Sequence, residues 1–390
     1  MTNTPKSVLI CGAGKIGRGF IGQLFHRSGY RIFFLESDSE RIELLNSRRK
    51  YLVESPGEAG FSETIPVDLC LGPGAQGELS CLVERVDVVV SCVGAGNIES
   101  LARTLAPAVA KRSRPLNWLI CENAVEPAQT IRSILEDSVD PTSVSADKLG
   151  LVETQVLRTA LLPGSEALEQ DPLAVRVESW WTLPCDGAAF VGDPPEVDEL
   201  LPLKNFANAL PRKLYTFNGL NAPIAYVGAA NGYHLLHEAA SAPEFQSFLR
   251  DIVEECAHGL IGEFKFDPAE QHDFQLMAYR KYTDAALGDT VSRHAYDSAR
   301  KLGRDERLVG PATLCHKHGR EPQAYAVAIA SAIAYRDPDD PGSKHVEAVL
   351  EENGLDGVLG KICGLPRDSM LTALIQRAWN ARAYRIVGLG

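Results

Sequence analysis

The stretch SVLICGAGKIGRGFIG, residues 7–22, decides the fold. SVLIC is a short unbroken apolar run of the kind that forms a strand buried on both faces. It leads into Gly12, Gly14 and Gly17, a G-x-G-x-x-G spacing, and the residues that follow open a helix. Alone the glycine spacing is weak evidence; between a strand and a helix it signifies a dinucleotide loop. Gly12 permits the tight turn, Gly14 lets the backbone approach a pyrophosphate, and Gly17 allows close helix–sheet packing. Lys15 and Ile16 belong to the same loop. The helix N-terminus behind them presents free N–H groups and a positive dipole end to phosphate.

Working outward, FIGQLFHRSG (20–29) reads as a helix ended by Gly29, and RIFFLES (31–37), VDVVVSCV (86–93) and NWLIC (117–121) as further strands. Strands alternating with helices imply right-handed βαβ crossovers and a doubly wound, Rossmann-type parallel sheet. Glu36 ends the second strand, nineteen residues past Gly17. A carboxylate there accepts from the adenosine ribose diol and repels a 2′-phosphate, which favours NAD; nearby Arg41 leaves NADP open. Gly94, in the strand-end loop VGAGN (93–97), passes beside the cofactor, and Asn123 in CENAV (121–125) sits past a strand end where ligands of such sheets bind.

Past residue 150 the texture changes. AVRVESWWTL (174–183) and AAFVG (188–192) read as added strands, and DPPEVDELLPLK (193–204) as the crossing into a second domain. Helical patterns then dominate, in APEFQSFLRDIVEECAHGLIGEF, DPAEQHDFQLMAYRKY, PQAYAVAIASAIAYR and DSMLTALIQRAWNARAY. The expected organisation is α/β: a doubly wound N-terminal domain with added strands over residues 1–200 and a mostly α-helical domain over 201–390. A chain of 390 residues is long enough for two cores.

The net charge of −12 disfavours nucleic acid or an anionic membrane as main partner. No apolar run approaches the roughly 18 residues of a membrane span, and the start does not read as a signal peptide. Nine scattered cysteines, without a CxxC, suit a reduced, cytoplasmic setting. CHKH (315–318) reads as a polar loop and His234 with His237 as a structural pair, so no metal is expected.

KLYTFNGLNAP (213–223) places a cation near two amides. On an α-helix at about 100° per residue, Asn218 lies near ~140° and Asn221 near ~80° from Lys213, on one broad face. A lysine of lowered pKa with amides beside it can deprotonate a hydroxyl and hold the resulting alkoxide. A polar helix start has the same pattern.

GAGKIGRGFIG, CENAV, DPLAVRVES, KLYTFNGLNA and ARKLGRDERL occur in the order and spacing of the polyol-specific long-chain dehydrogenases, the mannitol dehydrogenase family, which the chain resembles over nearly its whole length. The resemblance implies metal-independent, NAD-dependent interconversion of a polyol or its phosphate with a ketose, D-mannitol 1-phosphate and D-fructose 6-phosphate being the leading pair. It implies that Lys213 is the general base, with Asn218 and Asn123 polarising the reacting oxygen, and that a single chain can act as a monomer. Two departures stand out. The family's Lys-x4-Asn-x2-His ends in Asn221 here, which can still donate to a substrate hydroxyl but carries no proton. The family's Asp-Arg pair is Leu157-Arg158, with Glu153 nearby. Arg293, Arg300, Lys301, Arg304 and Arg307 offer cations for a phosphate, and Arg300 with Lys301 match the family's RKL. Two other readings stay open: reduction of a hexuronate (tagaturonate or fructuronate), and an NAD(H)-binding protein without turnover.

Overall fold

Strands made of unbroken apolar residues need cover on both faces, and the first half of the chain supplies it. The computed structural model describes residues 5–55, 60–122, 124, 126–178 and 181–386, and the chain divides into two compact units, Met1–Ala207 and Asn208–Gly390. The strands of the first unit are Ser7–Cys11 (β1), Arg31–Leu35 (β2), Lys50–Ser55 (β3), Phe61–Pro66 (β4), Leu69–Leu71 (β5), Val88–Ser91 (β6), Leu116–Ile120 (β7), Leu149–Glu153 (β8), Ala160–Leu161 (β9), Val175–Val177 (β10), Leu183–Asp186 (β11) and Leu200–Leu203 (β12). Six form one sheet in the order β5-β2-β1-β6-β7-β8, parallel throughout. β1 shows why its sequence does not alternate. Val8 and Ile10 face one core with Phe20, Ile21 and Phe25, while Leu9 and Cys11 face another with Leu79, Val83 and Leu105.

A second sheet, β4-β3-β10-β9, accounts for the unusual length of the glycine motif. The helix after the loop is widened to π geometry over Gly17–Gly22 and continues as Gln23–Arg27 (α1). Its glycines abut that sheet: a Cβ on Gly19 would lie 2.6 Å from Val175 Cγ1, and one on Gly22 2.1 Å from Tyr51 Oη. Tyr51 Oη donates to the carbonyl of Arg18 at 2.9 Å, tying β3 to the widened turn.

Two expectations change. Residues 188–192 form no strand; Gly187–Ala189 is a 3-10 turn capped by Asp186. Within the expected crossing, β12 pairs in parallel with β11, so this segment completes a two-stranded sheet of the first unit. Ser179 and Trp180 of AVRVESWWTL lie outside the described residues.

The described elements of the second unit are helices. Those used below are Ala209–Lys213 (α2), Gly219–Ala230 (α3), Gln246–Phe264 (α4), Pro268–Thr283 (α5), Val291–Ala295 (α6) and Gln323–Ala334 (α7). CHKH is the end of the helix Val309–Lys317 and not a loop, with Lys317 and His318 both on Glu263.

Between α2 and α3 the helix widens into a π turn, Leu214–Asn218, in which the amide of Gly219 reaches back to the carbonyl of Leu214. This leaves the Tyr215 carbonyl without the amide that a regular helix would bring, and the Cys256 thiol donates to it at 3.1 Å. Pro223 has no N–H for the carbonyl of Gly219, and the Tyr325 hydroxyl takes its place at 3.1 Å. Tyr325 is itself set by Glu255, buried on α4, whose carboxylate accepts from the amides of Ala324 and Tyr325 at 2.8 and 3.0 Å.

Burial pushes the Glu255 carboxyl up to about 7, against the opposing pull of those two amides. The folded chain therefore holds a proton that the unfolded chain releases near the ordinary carboxylate range, and stability falls as pH rises toward 7. The melting temperature is expected to drop between pH 5 and 7.5, with the drop reduced in Glu255→Gln; parallel curves for the two proteins would refute this.

Candidate active site

In the first unit a crevice of about 380 Å³ opens where β1 and β6 end, lined by Gly12, Gly14, Glu36, Arg41, Val93 and Asn97 among others. That is the switch point of the sheet, since β2 and β6 flank β1 on opposite sides. Gly12 has φ +93°, and a Cβ there would lie 2.6 Å from the Cys92 carbonyl oxygen; one on Gly17 would strike the Gly12 carbonyl oxygen at 1.9 Å. At Gly14, by contrast, a Cβ would meet nothing within 4 Å, which leaves the backbone open toward the crevice. Lys15 is exposed, and Ile16 packs on the core. Gly94, at φ +85°, is exposed, and its carbonyl accepts from Asn97 at 3.0 Å.

Glu36 stands at the crevice with more partners than the sequence suggests. One carboxylate oxygen accepts from the Ala13 amide at 2.8 Å and from Arg41 at 3.0 Å; the other accepts from the amides of Ser37 and Asp38 at 2.7 and 3.1 Å. Burial raises its pKa, but these donors outweigh burial and hold the carboxylate below its usual range. It is ionised at neutral pH, and Arg41, paired with Glu36 and Asp38, is already engaged. These residues fit a dinucleotide whose ribose carries no 2′-phosphate.

Asn123 lies outside the described residues. Its neighbour Glu122, which the sequence reading did not single out, is buried and accepts from Ser91 Oγ at 2.8 Å and the Val93 amide at 2.9 Å. It ties the end of β6 to the end of β7, and burial raises its pKa despite those donors. A carboxylate directly after an apolar strand was the available signal. Arg158 is also buried, donating to the carbonyls of Glu178 and Gly19 and to Gln23 Oε1 at 2.7, 3.1 and 2.6 Å. Its role is to brace the glycine-rich helix. Glu153 accepts from Ala128 at the start of the helix Pro127–Ser138, and so caps that helix.

In the second unit the π turn alters the geometry around Lys213. With i→i+5 bonding, residues five apart stack as neighbours, so Asn218 comes closer to the face of Lys213 than an α-helix allows. Burial, then the fields of Lys281 and Arg307, pull the Lys213 ammonium down to about 8. Lys281 and Arg307 were not chosen as partners of Lys213 from sequence, because the two lie far apart along the chain.

Asn221 is buried on α3; its Nδ2 donates to Tyr282 Oη at 3.3 Å, while Oδ1 has no hydrogen-bond partner among the described residues. One of its two N–H donors is thus engaged by Tyr282, and Oδ1 is an acceptor that the sequence reading did not consider. Arg300 pairs with Asp297 and Glu306 at 2.6 and 3.0 Å. Lys301 is buried, donates to the His294 carbonyl at 2.6 Å, and is lowered to about 8 by burial and by Arg307 and Arg300. His234 and His237 join no group of three or more potential metal ligands among the described residues.

A dinucleotide crevice in one unit and a lysine of lowered pKa in the other fit a dehydrogenase acting on an alcohol. The family models agree: the mannitol dehydrogenase Rossmann domain matches residues 6–199 and the mannitol dehydrogenase C-terminal domain residues 206–381. The chain belongs to the mannitol dehydrogenase family. It is 31% identical over 371 residues to a mannitol-1-phosphate 5-dehydrogenase of Bacillus licheniformis, covering 93% of this chain and 97% of that one. A mannitol-1-phosphate 5-dehydrogenase of Bacillus subtilis is 30% identical over 374 residues, with 95% and 98% covered. Among solved structures, Pseudomonas fluorescens mannitol 2-dehydrogenase in a ternary complex with NAD and D-mannitol superposes with a TM-score of 0.70 at 14% identity, covering 98% of this chain and 93% of that one. A substrate-free D-sorbitol dehydrogenase gives 0.81 at 12% identity, with 97% and 94% covered. At those identities the structures speak for the fold.

Replacing Glu36 by Gln removes the charge that opposes a 2′-phosphate and releases Arg41. The ratio of kcat/KM for NAD over NADP is expected to fall by roughly 10- to 100-fold, the equivalent of one or two charge-assisted contacts. Steady-state kinetics with both cofactors measures it, and an unchanged ratio would refute the assignment of Glu36.

Proposed function

We propose that the chain is an NAD-dependent dehydrogenase that interconverts D-mannitol 1-phosphate and D-fructose 6-phosphate. The observation that carries this reading is Lys213, a half-buried lysine lowered to about 8 at the start of the π turn that carries Asn218. The curated relatives matched over 93% and 95% of the chain bear a polyol-phosphate name, which weighs against a hexuronate.

When bound, NAD supplies the acceptor for hydride from the alcohol carbon. The chain handles the proton and the charge. Neutral Lys213 accepts the hydroxyl proton on Nζ, and in the reductive direction its ammonium returns it. The amide of Asn218 donates to the oxygen as negative charge develops there. Asn123 is assigned the second amide by the family pattern alone. Lys281 and Arg307, whose fields reach Lys213, are the cations assigned to the substrate's phosphate; Arg300 and Lys301 hold the segment around them. The nine cysteines are free thiols, which supports a reducing, cytoplasmic setting, and the chain works on a small sugar phosphate as a monomer.

The test is NADH oxidation against fructose 6-phosphate, fructose, tagaturonate and fructuronate, with fructose 6-phosphate the best substrate. Lys213→Ala is expected to lose about 10²- to 10⁴-fold in kcat/KM, the usual range for a general base; survival of activity would exclude that role. For mannitol 1-phosphate oxidation, kcat/KM rises with pH as Lys213 loses its proton, with a midpoint near 8. Lys281→Met removes one of the charges that lower Lys213, so the midpoint moves to higher pH; a fixed or lower midpoint would contradict the electrostatic account.

A further inference from the structure

Asn221 stands where the family resemblance implies a histidine, and it packs against a buried phenol. Its amide is 6% exposed, Nδ2 donates to Tyr282 Oη at 3.3 Å, and Oδ1 is buried without a partner among the described residues. A buried acceptor left unpaired costs about 1–3 kcal/mol, so a donor that meets it is bound favourably. Tyr282 is 4% exposed on α5, and its ring meets that of His294 edge to face, with centroids 5.9 Å apart. His294, on α6, is fixed by Asp289 at 3.0 Å and by Lys301 on its backbone carbonyl at 2.6 Å. The neighbouring Arg293 holds the other carboxylate oxygen of Asp289. A ring, a carboxylate and two cations thus fix the position of one phenol.

We infer that Tyr282, seated on His294, is a positioning residue. It holds the Asn221 amide with its carbonyl oxygen directed to accept from a substrate hydroxyl beside the reacting carbon. The inference rests on the dehydrogenase reading above. It makes Asn221 a detector of a hydroxyl donor, a task distinct from the proton relay that a histidine performs. Such a contact is made equally in the ground and transition states, so its loss appears in KM rather than kcat.

The experiment is a double-mutant cycle on the full chain, using whichever ketose or ketose phosphate of the panel the wild type reduces. Tyr282→Phe keeps the ring and removes the hydroxyl. It is expected to raise KM for that substrate roughly 3- to 10-fold, the range of one neutral hydrogen bond. The kcat and the NADH dissociation constant should stay within about twofold. In an Asn221→Ala background the same substitution is expected to have no further effect, because the amide it positions is gone. His294→Ala, which removes the ring under Tyr282, should raise KM in the same direction in the wild type and not in Asn221→Ala. Equal KM effects in both backgrounds, or a wild-type KM in Tyr282→Phe, would overturn the inference while leaving the dehydrogenase reading intact. A wild type that reduces none of the panel would overturn the dehydrogenase reading and the inference with it.

Discussion

The widened helical turn at Leu214–Asn218 is the constraint on which the second unit depends. A π turn forfeits regular i→i+4 bonds and persists only where other groups satisfy the stranded carbonyls. Here the Cys256 thiol serves the carbonyl of Tyr215, and the Tyr325 hydroxyl serves that of Gly219, for which Pro223 has no N–H. Glu255 extends the set by fixing the first turn of α7, which carries Tyr325. Three helices are thus committed to holding one irregular turn, and the lysine and the amide assigned to the chemistry stand at its two ends.

Electrostatics follow from the same placement. The chain is strongly acidic overall, yet Lys213 sits among like charges and out of water, and both effects favour its neutral form. Arg307 is itself paired with Glu306 at 3.1 Å, and in the proposed reading the two cations that lower Lys213 are also those assigned to the substrate's phosphate.

Much of the first unit was legible because its signals are local. A strand, a glycine spacing and a helix follow one another within sixteen residues, and each apolar run names its own strand. The added strands were harder. The segment 188–192 has strand composition but forms a 3-10 turn, because Asp186 caps it and ends the pairing of β11. In the candidate site, Lys213, Asn218 and Asn221 were readable from spacing, although an α-helical wheel misjudged the faces where the helix widens. Glu122, Lys281, Tyr282 and His294 were not singled out as parts of the site, and Arg307 was read only as one of several cations for a phosphate. Their relevance comes from tertiary packing between segments far apart in the chain, which no period of 2 or 3.6 encodes. Asn221 was identified as a departure, but which of its two amide atoms is engaged depends on Tyr282, sixty-one residues away.

The close packing of Gly19 and Gly22 against Val175 and Tyr51 bears on how such a domain can be exchanged between proteins. The first three glycines of GAGKIGRGFIG serve a nucleotide and would function on many parallel sheets. The last two serve a neighbouring sheet that a generic dinucleotide fold lacks. Grafting the whole motif elsewhere would leave two glycines uncovered in a helix; grafting a generic loop here would drive side chains into Tyr51 and Val175. The transferable module is therefore the motif together with its four-stranded sheet, and a recombination boundary between them would cut through a packed core.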